Sequence, residues 1–253
     1  MLKFDLQKIE EAALNAWPAP RQMLYDGWVL RFTGGHSKRV NSVNPLYPSR
    51  LPLNEKIEAC EGLYARLGLP CLFRVPDYLE GSTLVEALHA AGYTAFDPTL
   101  VLGQEVLKKT RNGPVPSIQE IPVAEWFRLR AAFINVPEED QRAHHAILAC
   151  IVPEKVLLGL FDQGQPVGCG MGVAEGQLIG FFSIYIAAGW RRKGYATMMM
   201  DALTDWGLVH GANFGYLQVE ADNLPALALY AHLGFTPCYQ YVYFGKQGAY
   251  DKA

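Results

Sequence analysis

The sequence lacks any cysteine or histidine pattern that would predict a disulfide framework or a metal centre. Its five cysteines form no Cys-x-x-Cys pair, and among its six histidines only His144 and His145 are adjacent. Adjacent positions on a helix point in different directions, so these two imidazoles are poorly placed to bind one ion. We therefore expect no metal, and the odd number of scattered cysteines predicts a reducing compartment.

Long apolar runs and an excess of basic charge are also missing. No apolar stretch reaches the roughly 18 residues of a membrane span. Acidic residues interrupt the apolar ones in residues 1–17, unlike a secretory signal peptide. A net charge of -3 over 253 residues disfavours non-specific nucleic-acid binding. We expect a soluble cytoplasmic protein that binds neither membrane nor nucleic acid.

The first part of the chain predicts a helix and a hairpin. Apolar residues at helical spacing indicate a helix over residues 6–17, and residues 27–32 and 39–43 read as antiparallel strands around Gly34-Gly35. These strands carry many polar residues, namely Arg31, Arg39, Asn41, Ser42 and Asn44. The polar residues fit either a solvent-exposed sheet face or the wall of a polar pocket at a domain seam.

Further elements divide the chain into two parts. Helices are expected from Asn54 and after Ser82, with strands at 71–75 and 100–106, so residues 21–107 read as ββαβαβ. Residues 108–117 are charged and rich in glycine and proline, which is typical of a linker. We therefore predict two domains, 1–110 and 116–253, of the α+β class.

The second part of the sequence predicts six strands and four helices, and three consecutive antiparallel strands among them lead into a basic loop and a helix. The expected strands are 118–121, 154–161, 166–173, 178–186, 216–220 and 239–244, and the expected helices are 124–133, 138–151, 197–210 and 224–233.

The basic loop Arg191-Arg192-Lys193-Gly194-Tyr195-Ala196 lies between a strand and a helix. Helix-terminal amides have no intrahelical partners, and the helix dipole favours an anion there. Glycine lets an anion approach the main chain closely. The loop is therefore either a diphosphate cradle or a solvated basic turn.

These residues resemble the GNAT superfamily of acyl-CoA-dependent N-acyltransferases. The loop at 191–196 matches that family's signature of Arg or Gln, two residues, Gly, one residue, then Gly or Ala. Asn223, Ala226, Leu229-Tyr230 and Gly234-Phe235 match the downstream pattern. The resemblance covers residues 116–245 and implies a mixed, mostly antiparallel sheet flanked by helices. Residues 82–106 look like a degenerate copy of the terminal unit, which implies a tandem arrangement, although an unrelated lid domain stays open.

The resemblance implies acetyl-CoA as co-substrate. Its diphosphate would lie on the amides of residues 192–197, and its pantetheine arm would pair with the backbone of residues 183–186. The cofactor-binding residues implied are Ser183, Ile184, Tyr185, Ile186, Arg191, Arg192, Lys193, Gly194, Tyr195, Ala196, Thr197, Asn223, Ala226 and Tyr230. Tyr230 is the implied catalytic residue, protonating the departing thiolate; the alternative for it is a core aromatic on an amphipathic helix.

The general base stays unassigned. Residues 178–186 contain no carboxylate, and we interpret the nearest candidates, Glu175 and Glu220, as surface charges rather than as the base. The resemblance implies an N-acetyltransferase acting on a primary amine of a small molecule, as a monomer or homodimer. The alternatives are an inactive CoA-binding regulatory protein and a peptide N-terminal acetyltransferase.

Overall fold

A computed structural model describes residues 5–33, 37–79, 82–105, 117–134 and 137–248. The helices are α1 Leu6–Ala16, α2 Leu53–Arg66, α3 Thr83–Ala90, α4 Val123–Phe133, α5 Glu138–Ala149, α6 Tyr195–Val209 and α7 Leu224–His232. The strands are β1 Arg21–Tyr25, β2 Trp28–Phe32, β3 Val43–Pro45, β4 Phe73–Pro76, β5 Thr94–Glu105, β6 Ser117–Glu120, β7 Glu154–Asp162, β8 Gln165–Glu175, β9 Leu178–Ile186, β10 Phe214–Glu220 and β11 Thr236–Gly245. The α+β class is confirmed.

The first hairpin differs from its prediction. The unpredicted strand β1 pairs with β2, and the strand predicted at 39–43 is instead a 3-10 turn at Lys38–Val40 followed by β3. The reason is that the Asn41 side chain replaces a ladder partner: its Oδ1 accepts from the Thr33 amide at 2.8 Å. The antiparallel pairing of β2 with the following strand is confirmed, while the Gly34-Gly35 turn lies outside the described residues.

Within the described ranges, eleven strands form one mixed sheet in the order β1-β2-β3-β4-β11-β5-β10-β9-β8-β7-β6. The two parts of the chain are interleaved in it, because β11 lies between β4 and β5, and β5 lies between β11 and β10. Each part thus places its last strand against a strand of the other. Residues 108–116 of the predicted linker lie outside the described residues, Ser117 at its end begins β6, and the division into domains 1–110 and 116–253 stays a prediction.

Side chains alternate between two faces of this sheet. Val101, Tyr216 and Phe182 belong to an apolar cluster with α1, α4 and α5, which we call the α1 face. Their neighbours Leu102, Leu217 and Phe181 belong to a cluster with α6 and α7, the α6 face. The sheet therefore separates two helical layers, and a ligand that lies between two neighbouring strands would contact both the α1 face and the α6 face.

The polar residues of the first hairpin lie in the interior rather than on a solvated sheet face. Arg31, Asn41, Ser42 and Asn44 are all at most 3% exposed, whereas Arg39 is partly exposed. The solvent-exposed interpretation is therefore wrong, and these residues form a polar seam. Across the described ranges of the chain, no helix combines the length and apolarity needed to cross a bilayer.

Candidate active site

The N-terminus of α6 presents a row of free backbone amides. Met198 is the first residue whose amide joins the helical ladder, donating to the Gly194 carbonyl at 3.0 Å. No described residue accepts a hydrogen bond from the amides of residues 192–197. Gly194 (φ +85°) and Arg192 (φ +62°) adopt the left-handed conformation that turns the chain into the helix. Six unpaired donors at the positive end of a helix dipole suit a diphosphate.

The side chains of this loop are fixed by their neighbours. The Arg191 Nε donates to the Ile186 carbonyl at 3.0 Å, and the Lys193 Nζ lies 4.9 Å from the Trp190 ring centroid. The Tyr195 hydroxyl donates to the Asp162 Oδ2 at 2.6 Å, so only its backbone amide is free for a ligand. A side chain at Gly194 would meet no atom within 4 Å, so the loop is open for an anion. Basic charge, free amides and open space together fit the diphosphate of CoA.

An opening in the sheet lies beside this loop. The parallel pairing of β9 with β10 runs from Leu178↔Phe214 to Phe181↔Leu217 and then stops. Beyond it, β9 still pairs with β8, with a bulge at Ser183, where φ is +52°. We call the space between residues 182–186 of β9 and 218–220 of β10 the gap. Its strand edges carry backbone groups without a sheet partner, which an extended ligand can pair with.

Helix α7 closes the α6 side of the gap. Asn223 caps this helix, because its Oδ1 accepts from the Ala226 amide at 3.2 Å. Tyr230 is partly buried and packs edge-on against Phe235, with ring centroids 5.9 Å apart. Burial, and then the neighbouring Tyr185, raise the pKa of Tyr230 to about 12. The phenol therefore keeps its proton at neutral pH and is a donor there.

The α1 side of the gap is formed by residues from across the chain. Trp17, which follows α1, stacks on Phe182 with ring centroids 5.9 Å apart. The guanidinium of Arg39 lies 5.7 Å from the Trp17 ring centroid. The Tyr241 hydroxyl donates to the Gln218 Oε1 at 3.1 Å. The first-half residues Trp17 and Arg39 thus reach the gap that the second half forms.

Comparisons with known proteins were consistent with this geometry. Residues 4–244 match the family described as "Probable histone acetyltransferase Rv0428c C-terminal". The chain belongs to this family. Over 245 residues the chain is 27% identical to the protein named "Uncharacterized N-acetyltransferase YobR" from Bacillus subtilis (strain 168), an alignment that covers 94% of this chain and 98% of that protein.

Solved structures share its fold. A GCN5-related N-acetyltransferase from Kribbella flavida superposes with a TM-score of 0.70 at 17% identity, covering 98% of this chain and 97% of the other. A tandem GNAT protein from the clavulanic acid biosynthesis pathway gives a TM-score of 0.66 at 14% identity, covering 84% and 76%. The predicted GNAT fold is confirmed, and this Rv0428c C-terminal family member is an acetyltransferase of the GNAT type.

The structure brings four of the predicted site residues together, whereas the side chain of Tyr185 packs on the other face of the sheet, against the α1-face cluster. One apolar cluster on the α6 face joins Ile184 of β9, Trp190 and Tyr195 of the loop, and Ala226 and Tyr230 of α7. Asn223 acquires a capping role that the sequence did not predict. The cofactor contacts of these residues, and the acid role of Tyr230, stay predictions.

Several residues of the α1 side were missed by the sequence reading. The unusual density of polar residues around Arg31 and Arg39 was the available signal, but nothing local to Trp17, Gln218 or Tyr241 marks them. Arg31 organises this side: its Nη1 donates to the Arg39 carbonyl at 3.0 Å, and its Nη2 donates to the carbonyls of Leu14, at 3.1 Å, and Trp17. One buried guanidinium therefore holds both Trp17 and Arg39 in place.

A buried ion pair supports the same side. Arg74 and Glu10 are 1% and 2% exposed and form a two-point ion pair, while the Tyr239 hydroxyl donates to Glu10. The Arg74 guanidinium lies 3.5 Å from the Tyr241 ring centroid. Burial favours the neutral phenol of Tyr241, but Arg39 and Arg74 outweigh it and lower its pKa.

His144 of α5 is buried beside Trp17, and neither of its ring nitrogens has a hydrogen-bond partner among the residues that the structure describes. Burial, followed by Arg130 and His145, lowers its pKa to about 3, so the imidazole is neutral at physiological pH. Among the described residues, no group of three or more His, Cys, Asp or Glu side chains is placed to hold a metal ion.

The two candidate carboxylates lie at different ends of the site. Glu175 ends β8 and accepts from Asn15 at 3.0 and 3.2 Å, at the end of β9 that is far from the gap. Glu220 ends β10 at the gap and is exposed. The structure thus separates Glu220 from Glu175 by position, and neither is assigned as the base.

Proposed function

We propose that the protein transfers an acetyl group from acetyl-CoA to the primary amine of a small molecule by direct attack. The observation that carries the proposal is the row of six unpaired amides at the α6 N-terminus next to the gap between β9 and β10. Few other arrangements of backbone bring anion donors and a free strand edge together, and a diphosphate with an extended amide arm is complementary to both.

On the donor side, the amides of residues 192–197 would hold the diphosphate, with Arg191 and Arg192 adding positive charge. The backbone of residues 183–186 would pair with the pantetheine arm. Acetyl-CoA supplies the activated thioester. Tyr230, held by Phe235 on the α6 side of the gap, would donate its proton to the sulfur as the carbon–sulfur bond breaks.

On the acceptor side, the amine would enter from the α1 face. Its lone pair forms the new carbon–nitrogen bond, and its proton leaves to solvent at the open end of the gap. Trp17 and Arg39 come from the first half of the chain, lie on the α1 side of the gap and narrow the opening through which the acceptor would enter. A narrow opening favours a small acceptor over the surface of a folded protein.

The test is thiol release from acetyl-CoA over a panel of amines that includes a histone-tail peptide. Tyr230→Phe should lower kcat by about 10²-fold, the contribution typical of one general acid, without changing the affinity for CoA. Tyr47→Phe is the matched control, since Tyr47 is exposed and its hydroxyl bonds to Glu11 away from the gap. Unchanged kcat in Tyr230→Phe would remove the acid role.

A second candidate is a CoA-binding regulatory protein without turnover. The absence of a carboxylate from residues 182–186 favours it. Tight CoA binding by calorimetry with no thiol release on any amine would support this candidate, and preference for the histone-tail peptide would support a peptide acceptor.

A further inference from the structure

Arg39 presents a cation at the α1 side of the gap without a carboxylate partner. Its side chain is partly exposed, and among the described residues no Asp or Glu oxygen lies within 4.0 Å of its guanidinium. Its neighbours are Tyr241, Tyr243 and, at longer range, the exposed Glu220. A guanidinium that contacts aromatic side chains and has no carboxylate within ion-pair distance among the described residues is suited to a bidentate contact with an anionic oxygen group.

The backbone around Arg39 is held in place by hydrogen bonds, by an ion pair of the preceding residue and by burial of the following residue. The Arg39 carbonyl accepts from the buried Arg31 Nη1 at 3.0 Å, and the preceding Lys38 forms an ion pair with Asp97. The Asn41 amide donates to the Lys38 carbonyl at 3.1 Å, and Val40 is fully buried. A surface arginine that served only solubility would not need this support, whereas a ligand-binding cation must be held in position.

The position of Arg39 relates it to the acceptor rather than to CoA. The aromatic side chains that neighbour Arg39, those of Trp17 and Tyr241, belong to the α1 face, whereas the α6 N-terminus and Tyr230 belong to the α6 face. Tyr241 connects Arg39 to the gap, because the Tyr241 hydroxyl donates to Gln218, one residue beyond the last residue of β10 that pairs with β9. A second cation on the α1 side, Arg130, lies 5.5 Å from the Tyr185 ring centroid.

We propose that the acceptor is a primary amine that also carries a carboxylate or phosphate group, and that Arg39 binds that anionic group while Trp17 packs against the acceptor. This inference rests on the proposed acetyl transfer and specifies its acceptor class. It assigns the first half of the chain a direct part in substrate selection, and it makes Arg31 a positioning residue for the acceptor side.

The test compares acceptors that differ in one anionic group. L-Phenylalanine is paired with phenethylamine, and O-phosphoethanolamine is paired with ethanolamine. In at least one pair, the wild-type kcat/KM should be at least about tenfold higher for the anionic amine than for the neutral one. The reason is that the free energy of one hydrogen bond to a charged group corresponds to about 10- to 100-fold in affinity. The pair that shows the preference distinguishes carboxylate from phosphate.

The variants locate that preference on Arg39. Arg39→Gln should raise KM for the preferred anionic amine by about 10- to 100-fold, whereas kcat/KM for phenethylamine and ethanolamine should fall by a much smaller factor, because those amines carry no anionic group for Arg39 to bind. Arg39→Lys should recover part of the loss, because it keeps the charge but not the planar fork. Arg21→Gln, an exposed cation on β1, is the matched control and should behave as wild type.

Equal rates within both pairs, or an equal loss on anionic and neutral amines in Arg39→Gln, would overturn the inference. If no amine were acetylated, the proposed function would fail, and calorimetry of L-phenylalanine and O-phosphoethanolamine with the CoA-bound protein would then decide the inference separately. Binding that is the same in wild type and Arg39→Gln, or absent from both, would overturn it.

Discussion

Replacing His144 with phenylalanine should make the protein less sensitive to acid. His144 is 5% exposed, and within the described part of the chain neither ring nitrogen has a hydrogen-bond partner. Aromatic rings surround it, with ring centroids at 4.7 Å for Trp17, 5.3 Å for Phe127 and 5.8 Å for Trp126. Phenylalanine matches this apolar, aromatic surrounding and has a similar volume. At pH 7.5 we therefore expect the variant to be at least as stable as wild type, because two unpaired buried nitrogens are removed.

The size of the acid effect follows from the pKa of His144. In the folded protein burial, with Arg130 and His145, holds that pKa at about 3, against 6.5 for a free histidine. As pH falls below 6.5, the unfolded chain binds a proton that the folded protein excludes, so stability is lost from pH 6.5 down to about 3. At pH 5 the difference corresponds to about 2 kcal/mol, at 1.36 kcal/mol for each pH unit.

The assay is urea unfolding of wild type and His144→Phe at pH 7.5 and pH 5. The free energy of unfolding should fall by about 2 kcal/mol less in the variant than in wild type. His232→Phe is the matched control, because His232 is exposed at the end of α7, and its loss should equal that of wild type. An equal pH-dependent loss in wild type and His144→Phe would refute the reasoning.

Two further predictions concern the loop and the buried ion pair. Gly194→Ala should cost about 1 kcal/mol, because alanine is strained in the left-handed conformation, and should raise the Kd for CoA about fivefold, as measured by calorimetry. Gly189 lies in open space without a positive φ, so Gly189→Ala should leave the Kd unchanged. An equal rise of the Kd in both variants would contradict the role of Gly194. Glu10→Gln should lower the free energy of unfolding by about 3 kcal/mol, because it leaves Arg74 charged and buried. Breaking the exposed Arg142–Glu138 pair (2.7 Å) with Glu138→Gln should cost less than about 0.5 kcal/mol, and a similar loss for both variants would show that burial is not the cause.

The row of backbone amides at residues 192–197 could be predicted from the sequence because the strand, the loop and the helix that form it are consecutive in the chain. A strand, a left-handed glycine and a helix N-terminus follow one another within residues 178–210, and each has a signature in residue type or periodicity. The helix α7 was predicted for the same reason. Even there, the sequence did not separate the capping of α7 by Asn223 from a cofactor contact, since both use the same side-chain oxygen.

The α1 side of the site depended on tertiary structure. Trp17, Arg39, Gln218 and Tyr241 are separated by up to 224 positions in the sequence. They meet because β11 is inserted between β4 and β5 and because Arg31 binds three backbone carbonyls. Periodicity indicates which face of a strand is buried, but it carries no information on which strands become neighbours. The sequence alone therefore determined where the basic loop and the N-terminus of α6 lie, and only the tertiary structure decided which side chains line the α1 side of the gap.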